Sequence, residues 1–204
     1  MTLVKICGIT RPEDARLALD FGATWIGVIF AEESKRRITS DEAKAIRAVL
    51  DEAGHGELVG VFVDEDPLHI AQLGREIGLD LVQLHGDEPD ADIERIGLPV
   101  IRAIRVGATR PELPEDASPS MWLFDRESLM GRGGTGESFD WSLLDELSGH
   151  RPFLLSGGLG PANVAEAIRR VRPDGVDVAS GVETSPGIKD PEKLKAFFDE
   201  VKRG

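Results

Sequence analysis

Leu3-Val4-Lys5-Ile6 is an apolar strand that breaks at Cys7-Gly8-Ile9 and gives way to a helix start at Thr10-Arg11-Pro12-Glu13-Asp14. Thr10 and Glu13 have capping-box spacing, and Pro12 and Asp14 suit a first helical turn. The stretch is a strand-turn-helix unit. It places Cys7, the single cysteine, at a strand's C-terminal end. Ligands bind at that end in α/β proteins, so the thiol is a candidate acid, base or nucleophile. The competing reading is a small buried hydrophobe, the commoner state of a free cysteine.

The unit recurs along the chain. Strand candidates are Leu3 to Ile6, Trp25 to Phe30, Leu58 to Val63, Leu81 to Leu84, Val100 to Ile104, Met121 to Phe124, Phe153 to Leu155 and Gly175 to Val178. They are apolar on both faces, as parallel strands are when helices cover one side and a barrel interior fills the other. Helical periodicity lies between them: Ile70, Leu73 and Ile77; Val164, Ala167, Ile168 and Val171; Leu194, Phe197, Phe198 and Val201. Thr39 and Glu42 form a second candidate capping box, and Asp190-Pro191 opens the last helix. Between the fifth and sixth strands, Pro111, Pro114 and Pro119 predict a loop or a short distorted helix.

Eight alternations in 204 residues predict an α/β chain folded as a single (β/α)8 barrel domain over residues 1–204, with an irregular fifth helix. A doubly wound open sheet is the alternative. Right-handed crossovers bring every strand's C-terminal end to one face, so residues just after the strands should converge there.

Composition narrows the function. One cysteine excludes an internal disulfide and a cysteine-rich zinc site, and favours a reducing, cytoplasmic setting. The opening residues carry no signal-peptide pattern, and no apolar run approaches a membrane span. With 37 acidic against 24 basic residues the formal charge is -13, which argues against nonspecific nucleic-acid or anionic-membrane binding. An anionic substrate would need local donors.

The expected rim supplies them. After the second strand, Ala31-Glu32-Glu33-Ser34-Lys35-Arg36-Arg37 offers cations for a carboxylate or phosphate, or else solvated surface charge. The fourth strand ends in Gln83-Leu84-His85-Gly86, making His85 a proton donor, a hydrogen-bonding positioner or a structural histidine. The sixth ends in Asp125, a carboxylate that is costly after an apolar run unless paired or functional. Gly131-Arg132-Gly133-Gly134-Thr135-Gly136 then reads as a substrate-covering loop and lacks the Walker pattern. Ser156-Gly157-Gly158-Leu159-Gly160 after the seventh strand and Ala179-Ser180-Gly181-Val182-Glu183 after the eighth occupy the usual phosphate position of this barrel.

Several stretches together carry a resemblance: Lys5-Ile6-Cys7-Gly8-Ile9-Thr10; Val82-Gln83-Leu84-His85-Gly86; Phe124-Asp125 before Gly133-Gly134-Thr135-Gly136; Ser156-Gly157-Gly158-Leu159 with Pro161 and Asn163; and Asp177 through Glu183 with Gly187-Ile188-Lys189-Asp190. In this order they resemble the phosphoribosylanthranilate isomerases, (β/α)8 enzymes of tryptophan biosynthesis, over nearly the whole chain. The resemblance implies an Amadori rearrangement of N-(5-phosphoribosyl)anthranilate by general acid/base catalysis. It matches Cys7 to the base, Asp125 to the acid and Arg36 to the arginine that meets the anthranilate carboxylate. Gly157, Gly158, Ser180 and Gly181 match phosphate-loop positions, and His85 and Asp177 match positions near the substrate. It implies a small phosphosugar-anthranilate as the only partner, with no nucleic acid or membrane, and a monomer or homodimer. No metal or redox cofactor is implied, because both electrons stay within the substrate.

One departure stands out. The family often has Ser-Pro-Arg where this chain has Ser34-Lys35-Arg36, so the rigid turn that aims the arginine is missing and Arg37 is an alternative receptor. Rival readings are a phosphosugar epimerase, the histidine-pathway isomerase and a noncatalytic phosphate-binding module. A metal-dependent epimerase wants several rim histidines, and the chain has 4 in all. The histidine-pathway isomerase resembles a pair of aspartates, and Cys7 stands at the first of those positions. A binding module explains the glycine loops and Arg36 but not a thiol and a carboxylate both placed for proton transfer.

Overall fold

The computed structural model describes residues 2–109, 111, 113, 119–126, 140–144 and 152–204. Eight strands form a closed parallel barrel: β1 (Leu3–Ile6), β2 (Trp25–Ile29), β3 (Glu57–Phe62), β4 (Leu81–Leu84), β5 (Val100–Val106), β6 (Met121–Arg126), β7 (Phe153–Leu155) and β8 (Gly175–Val178). Each pairs with the next in sequence, and β8 closes on β1 with Lys5 opposite Asp177. The open-sheet alternative is thereby excluded.

Two apolar clusters show how the strands use both faces. Trp25, Val59, Leu81, Ile101, Ala103, Leu123 and Leu154 pack together without a helical residue, so they fill the barrel interior. Their strand neighbours Ile26, Leu58, Val82, Val100, Trp122, Phe153 and Leu155 belong to a larger cluster with helical side chains such as Ile46, Ile70, Ile168 and Phe197. This period-2 division is why the strands read as continuous apolar runs. Further along the interior stripe come Lys5, Gln83, Ser156 and Asp177, all buried. The interior therefore turns polar towards the C-terminal ends.

The opposite end is tied down by side chains. Thr24, just before β2, accepts from Val4 N at 3.3 Å; Asp80, before β4, accepts from Leu58 N at 2.8 Å; Asp174, before β8, accepts from Phe153 N at 2.9 Å. Each satisfies an N–H near the start of the preceding strand that the ladder leaves over.

Helices α1 (Pro12–Phe21), α2 (Ser40–Ala53), α3 (Pro67–Ile77), α5 (Val164–Val171) and α6 (Pro191–Val201) fill the crossovers, while α4 (Ile93–Ile96) is a single turn after a 3₁₀ turn at Asp90–Asp92. The Thr39–Glu42 capping box is complete, an arrangement worth about 1 kcal/mol. Asp190 caps α6 by accepting from Glu192 N and Lys193 N. The expected Thr10–Glu13 box does not form. Arg11 is the N-cap residue of α1, with no side-chain cap, and the Thr10 hydroxyl instead donates to Gly187 O at 2.6 Å. A tertiary acceptor, 177 residues away, outcompetes the local one.

Two strands outrun their apolar cores. β5 continues to Val106 and β6 to Arg126, with Arg105 opposite Asp125. Backbone pairing persists at the rim where side chains have already become polar, so Asp125 sits inside the ladder. In the β5–β6 connection, none of the described residues is helical, and the others lie outside the described set. The Gly131–Gly136 loop also lies outside it. Among the described residues no helix is long and apolar enough to cross a membrane.

Candidate active site

Cys7 leaves β1 with its N–H donated to Val178 O; it is a free cysteine, and the residue is 6% exposed. Beneath it, Lys5 Nζ donates to Asp177 Oδ1 at 2.9 Å, and Ser156 Oγ donates to Asp177 Oδ2 at 3.1 Å. A Cβ added to Gly27 would stand 3.1 Å from both Cys7 Sγ and Lys5 Nζ. Glycine on β2 thus leaves the room in which the thiol and the ammonium lie together. Burial pushes the Cys7 thiol up from its ordinary value; Lys5 pulls it down by charge and hydrogen bond, Asp177 pushes it up, and Lys189 pulls it down, for a net rise. Burial also works against the Lys5 charge, but Asp177 and Cys7 outweigh it and hold the ammonium above its ordinary value.

Arg36 lies over Gly8, where an added Cβ would stand 2.4 Å from Arg36 Cδ. Its guanidinium grips Glu183 at two points: Nε reaches Oε1 at 2.8 Å and Oε2 at 3.1 Å, and Nη2 reaches Oε2 at 2.6 Å. Burial raises Glu183, yet the hydrogen bonds and charges of Arg36 and Lys189 together hold its carboxyl below the ordinary value. The absent proline is replaced locally, since Ser34 Oγ accepts from Arg36 N at 3.1 Å and Ser34 O accepts from Arg37 N at 3.2 Å. Arg37 is exposed, 3.6 Å from Glu32. Of the two arginines, Arg36 alone faces the thiol's surroundings.

Across the mouth, Asp125 Oδ1 accepts from Arg126 N at 2.8 Å, and Oδ2 lies 3.3 Å from His85 Nε2. The Gln83 amide nitrogen stands 2.8 Å from His85 Nδ1. Donation from that amide leaves the imidazole hydrogen on Nε2, pointing at Asp125. Gln83 comes from the polar interior stripe, so the imidazole is aimed by a group the barrel itself fixes.

The loops after β7 and β8 pack backbone against backbone. Gly157 and Gly158 both have positive φ, 84° and 70°. Asn163 closes their loop by accepting from Gly160 N at 2.9 Å and donating to Gly158 O at 3.0 Å. Gly181, in the 3₁₀ turn Ser180–Val182, comes so near that an added Cβ would meet Leu159 O at 2.0 Å. A Cβ on Gly157 would meet Asp125 Oδ1 at 3.1 Å, which joins this corner to the carboxyl.

Cys7, Arg36, His85, Asp125, Gly157, Gly158, Ser180 and Gly181 therefore all stand at the C-terminal mouth. Asp177 differs. It lies a layer deeper, with one oxygen taken by Lys5 and the other by Ser156. Sequence reasoning assigned no task to Lys5, Gln83, Glu183 or Lys189, although all lie within the motif stretches. Their one sequence signal was a polar residue at an inward position of an apolar strand or beside a glycine turn. No cluster of three or more potential metal ligands occurs among the described residues.

Fold and rim together define a class: (β/α)8 barrels that gather a thiol, a carboxyl, a guanidinium and glycine-rich loops on one face. A family model described as N-(5'phosphoribosyl)anthranilate (PRA) isomerase matches residues 4–200. The N-(5'-phosphoribosyl)anthranilate isomerase of Thiobacillus denitrificans is 45% identical over 202 residues, covering 98% of this chain and 97% of the relative. The crystal structure of phosphoribosyl anthranilate isomerase from Thermotoga maritima superposes with a TM-score of 0.87 at 39% identity, covering 99% of each chain. Another, of the isomerase in complex with reduced 1-(o-carboxyphenylamino)-1-deoxyribulose 5-phosphate, gives 0.84 at 37% identity, again over 99% of each. The chain belongs to the N-(5'-phosphoribosyl)anthranilate isomerase family.

Proposed function

We propose that this chain converts N-(5-phosphoribosyl)anthranilate to 1-(2-carboxyphenylamino)-1-deoxyribulose 5-phosphate, the Amadori rearrangement of tryptophan biosynthesis, in the cytoplasm. One observation carries the assignment of roles. A thiol and a carboxyl stand at one mouth together with a guanidinium suited to a carboxylate and paired glycine loops suited to a phosphate. The ligand of the similar complexed structure has a carboxylate at one end and a phosphate at the other.

Asp125 is the acid in this reading. It delivers a proton to the ribose ring oxygen as the C1–O bond opens and the anilino nitrogen's lone pair forms the imine. Cys7, raised by burial but drawn back towards the thiolate by Lys5 and Lys189, then removes the C2 proton in its ionised form. The freed electron pair becomes the C1–C2 double bond of an enolamine, and the imine bond's electrons return to nitrogen. Ketonisation moves a proton from the C2 hydroxyl to C1, so the oxidation change stays inside the substrate. Each positioned proton-transfer group contributes about 10²- to 10⁴-fold.

The other residues hold these groups in place. His85 keeps the Asp125 carboxyl aimed through Oδ2, and Asp177 acts through Lys5, fixing an ammonium beside the thiolate. Arg36 receives the anthranilate carboxylate, and backbone N–H groups around Gly157, Gly158, Ser180 and Gly181 receive the phosphate. The test is incubation of purified protein with N-(5-phosphoribosyl)anthranilate and chromatographic detection of the ketose. Folded protein that forms none would overturn the reading.

A further inference from the structure

Lys189 lies far from the proposed chemistry in sequence, on a hairpin formed after β8 by β9 (Glu183–Ser185) and β10 (Ile188–Lys189). Its side chain is fully buried. Nζ donates to Cys7 O at 2.6 Å, to Glu183 Oε1 at 2.8 Å and to Ala179 O at 3.2 Å. Three acceptors use three N–H bonds, which an ammonium has and a neutral amine does not. A buried positive charge thus joins the end of β1, the end of β8 and the carboxylate that grips Arg36.

The charges around Cys7 make its effect definite. Lys5 faces the thiol from β1, matched by Asp177 on β8; Lys189 faces it from β10, matched by Glu183 on β9; Arg36 comes from the loop after β2. Asp14 of α1, which accepts from Lys189 N, is matched by Arg11. With Lys189 present, Arg36 is in excess, and the ring around the thiol is net cationic inside a chain of charge -13. Without it, Arg36 and Glu183 would be a closed pair, offering little to an incoming carboxylate or to a thiolate.

We propose that Lys189 is a positioning residue for both ends of the site, fixing the Cys7 and Ala179 carbonyls and keeping Arg36's charge free for anions. This rests on the reading of Cys7 as the base. Burial lowers the Lys189 ammonium from its ordinary value, Glu183 and then Cys7 oppose that fall, and Arg36 adds to it, so the three acceptors around Nζ are what hold the proton there.

The test is a pH titration of the thiolate's ultraviolet absorbance in the wild-type chain, Lys189→Met and Lys189→Gln, with Cys7→Ser as the blank. The chain has 1 cysteine and 0 tyrosines, so the signal belongs to Cys7. Circular dichroism establishes folding, and Lys189→Gln, which retains a donor, serves if Lys189→Met does not fold. The expected result is a thiol midpoint raised by about 1 pH unit, as loss of a close opposite charge dictates. Product-analogue binding should also weaken about tenfold. A folded variant with the wild-type midpoint would overturn the proposal. The titration needs no substrate, so an inactive wild-type chain would overturn the isomerase reading without altering this result.

Discussion

His85 Nε2 stands 3.3 Å from Asp125 Oδ2, so the carboxyl across the mouth from Cys7 is held on one oxygen by imidazole and on the other by the Arg126 N–H. Asp125→Asn keeps that shape and loses the transferable proton. Turnover should fall below about a tenth of wild type, and by about 10²-fold or more if the proton transfer limits the rate, while product-analogue affinity stays close to wild type. Steady-state kinetics with a binding titration checks both halves. A variant that retains most of its turnover removes Asp125 from the acid role.

Cys7→Ser exchanges one atom with little change in volume. A merely packed cysteine tolerates this at modest cost in stability and almost none in rate. A base does not, because a serine hydroxyl near neutral pH is almost never an alkoxide, whereas a thiol starts near pKa about 8.5. The expected variant is folded and binds product analogue, with kcat down by orders of magnitude. Full activity would return Cys7 to the core.

Gly181→Ala should act on the phosphate end. Its new methyl would meet Leu159 O at 2.0 Å, a backbone atom, so the loops after β7 and β8 must separate. Product-analogue affinity should drop about tenfold, which is about 1.4 kcal/mol, and binding of inorganic phosphate should weaken alongside. Calorimetric titration reads both, and an unchanged phosphate affinity in a folded variant would move the phosphate elsewhere.

Glu183 gives the pH dependence of stability a sign. Burial raises its carboxyl, but Arg36 and Lys189 outweigh burial and hold it below the ordinary 4.5. Between the folded and unfolded values the unfolded chain binds more protons, so this contribution is complete above the unfolded value and lost as pH falls through the folded one. Thermal melts taken downward from about pH 6 should show a steep loss below about pH 4.5 that is shallower in Glu183→Gln. Parallel curves would show that the carboxylate adds no pH-dependent stability.

The barrel itself was legible because its signals are local. Apolar runs such as Trp25 to Phe30, helical stripes such as Val164, Ala167, Ile168 and Val171, and the Thr39–Glu42 box each depend on neighbours within a turn or two. The rim residues were legible for the same reason: each follows its own strand, and a closed parallel barrel brings such positions to one face. Where the local signal failed, a distant partner had won. Thr10 gives its hydroxyl to Gly187 rather than capping α1, and Asp125 lies within β6 because β5 continues alongside it.

The order of strands, the thiol just after the first and a carboxyl towards the C-terminal side of the sixth were determined by the sequence alone, since periodicity and turn residues report short-range backbone preference. Tertiary structure decided which charge meets which. Lys5 reaches Asp177 across 172 residues, Arg36 reaches Glu183 across 147, and Lys189 reaches the Cys7 carbonyl across 182. The physical reason is that a buried charge has no preferred partner along the chain. It takes the opposite charges and carbonyls that barrel closure carries to it, and at this mouth they come from the chain's two ends.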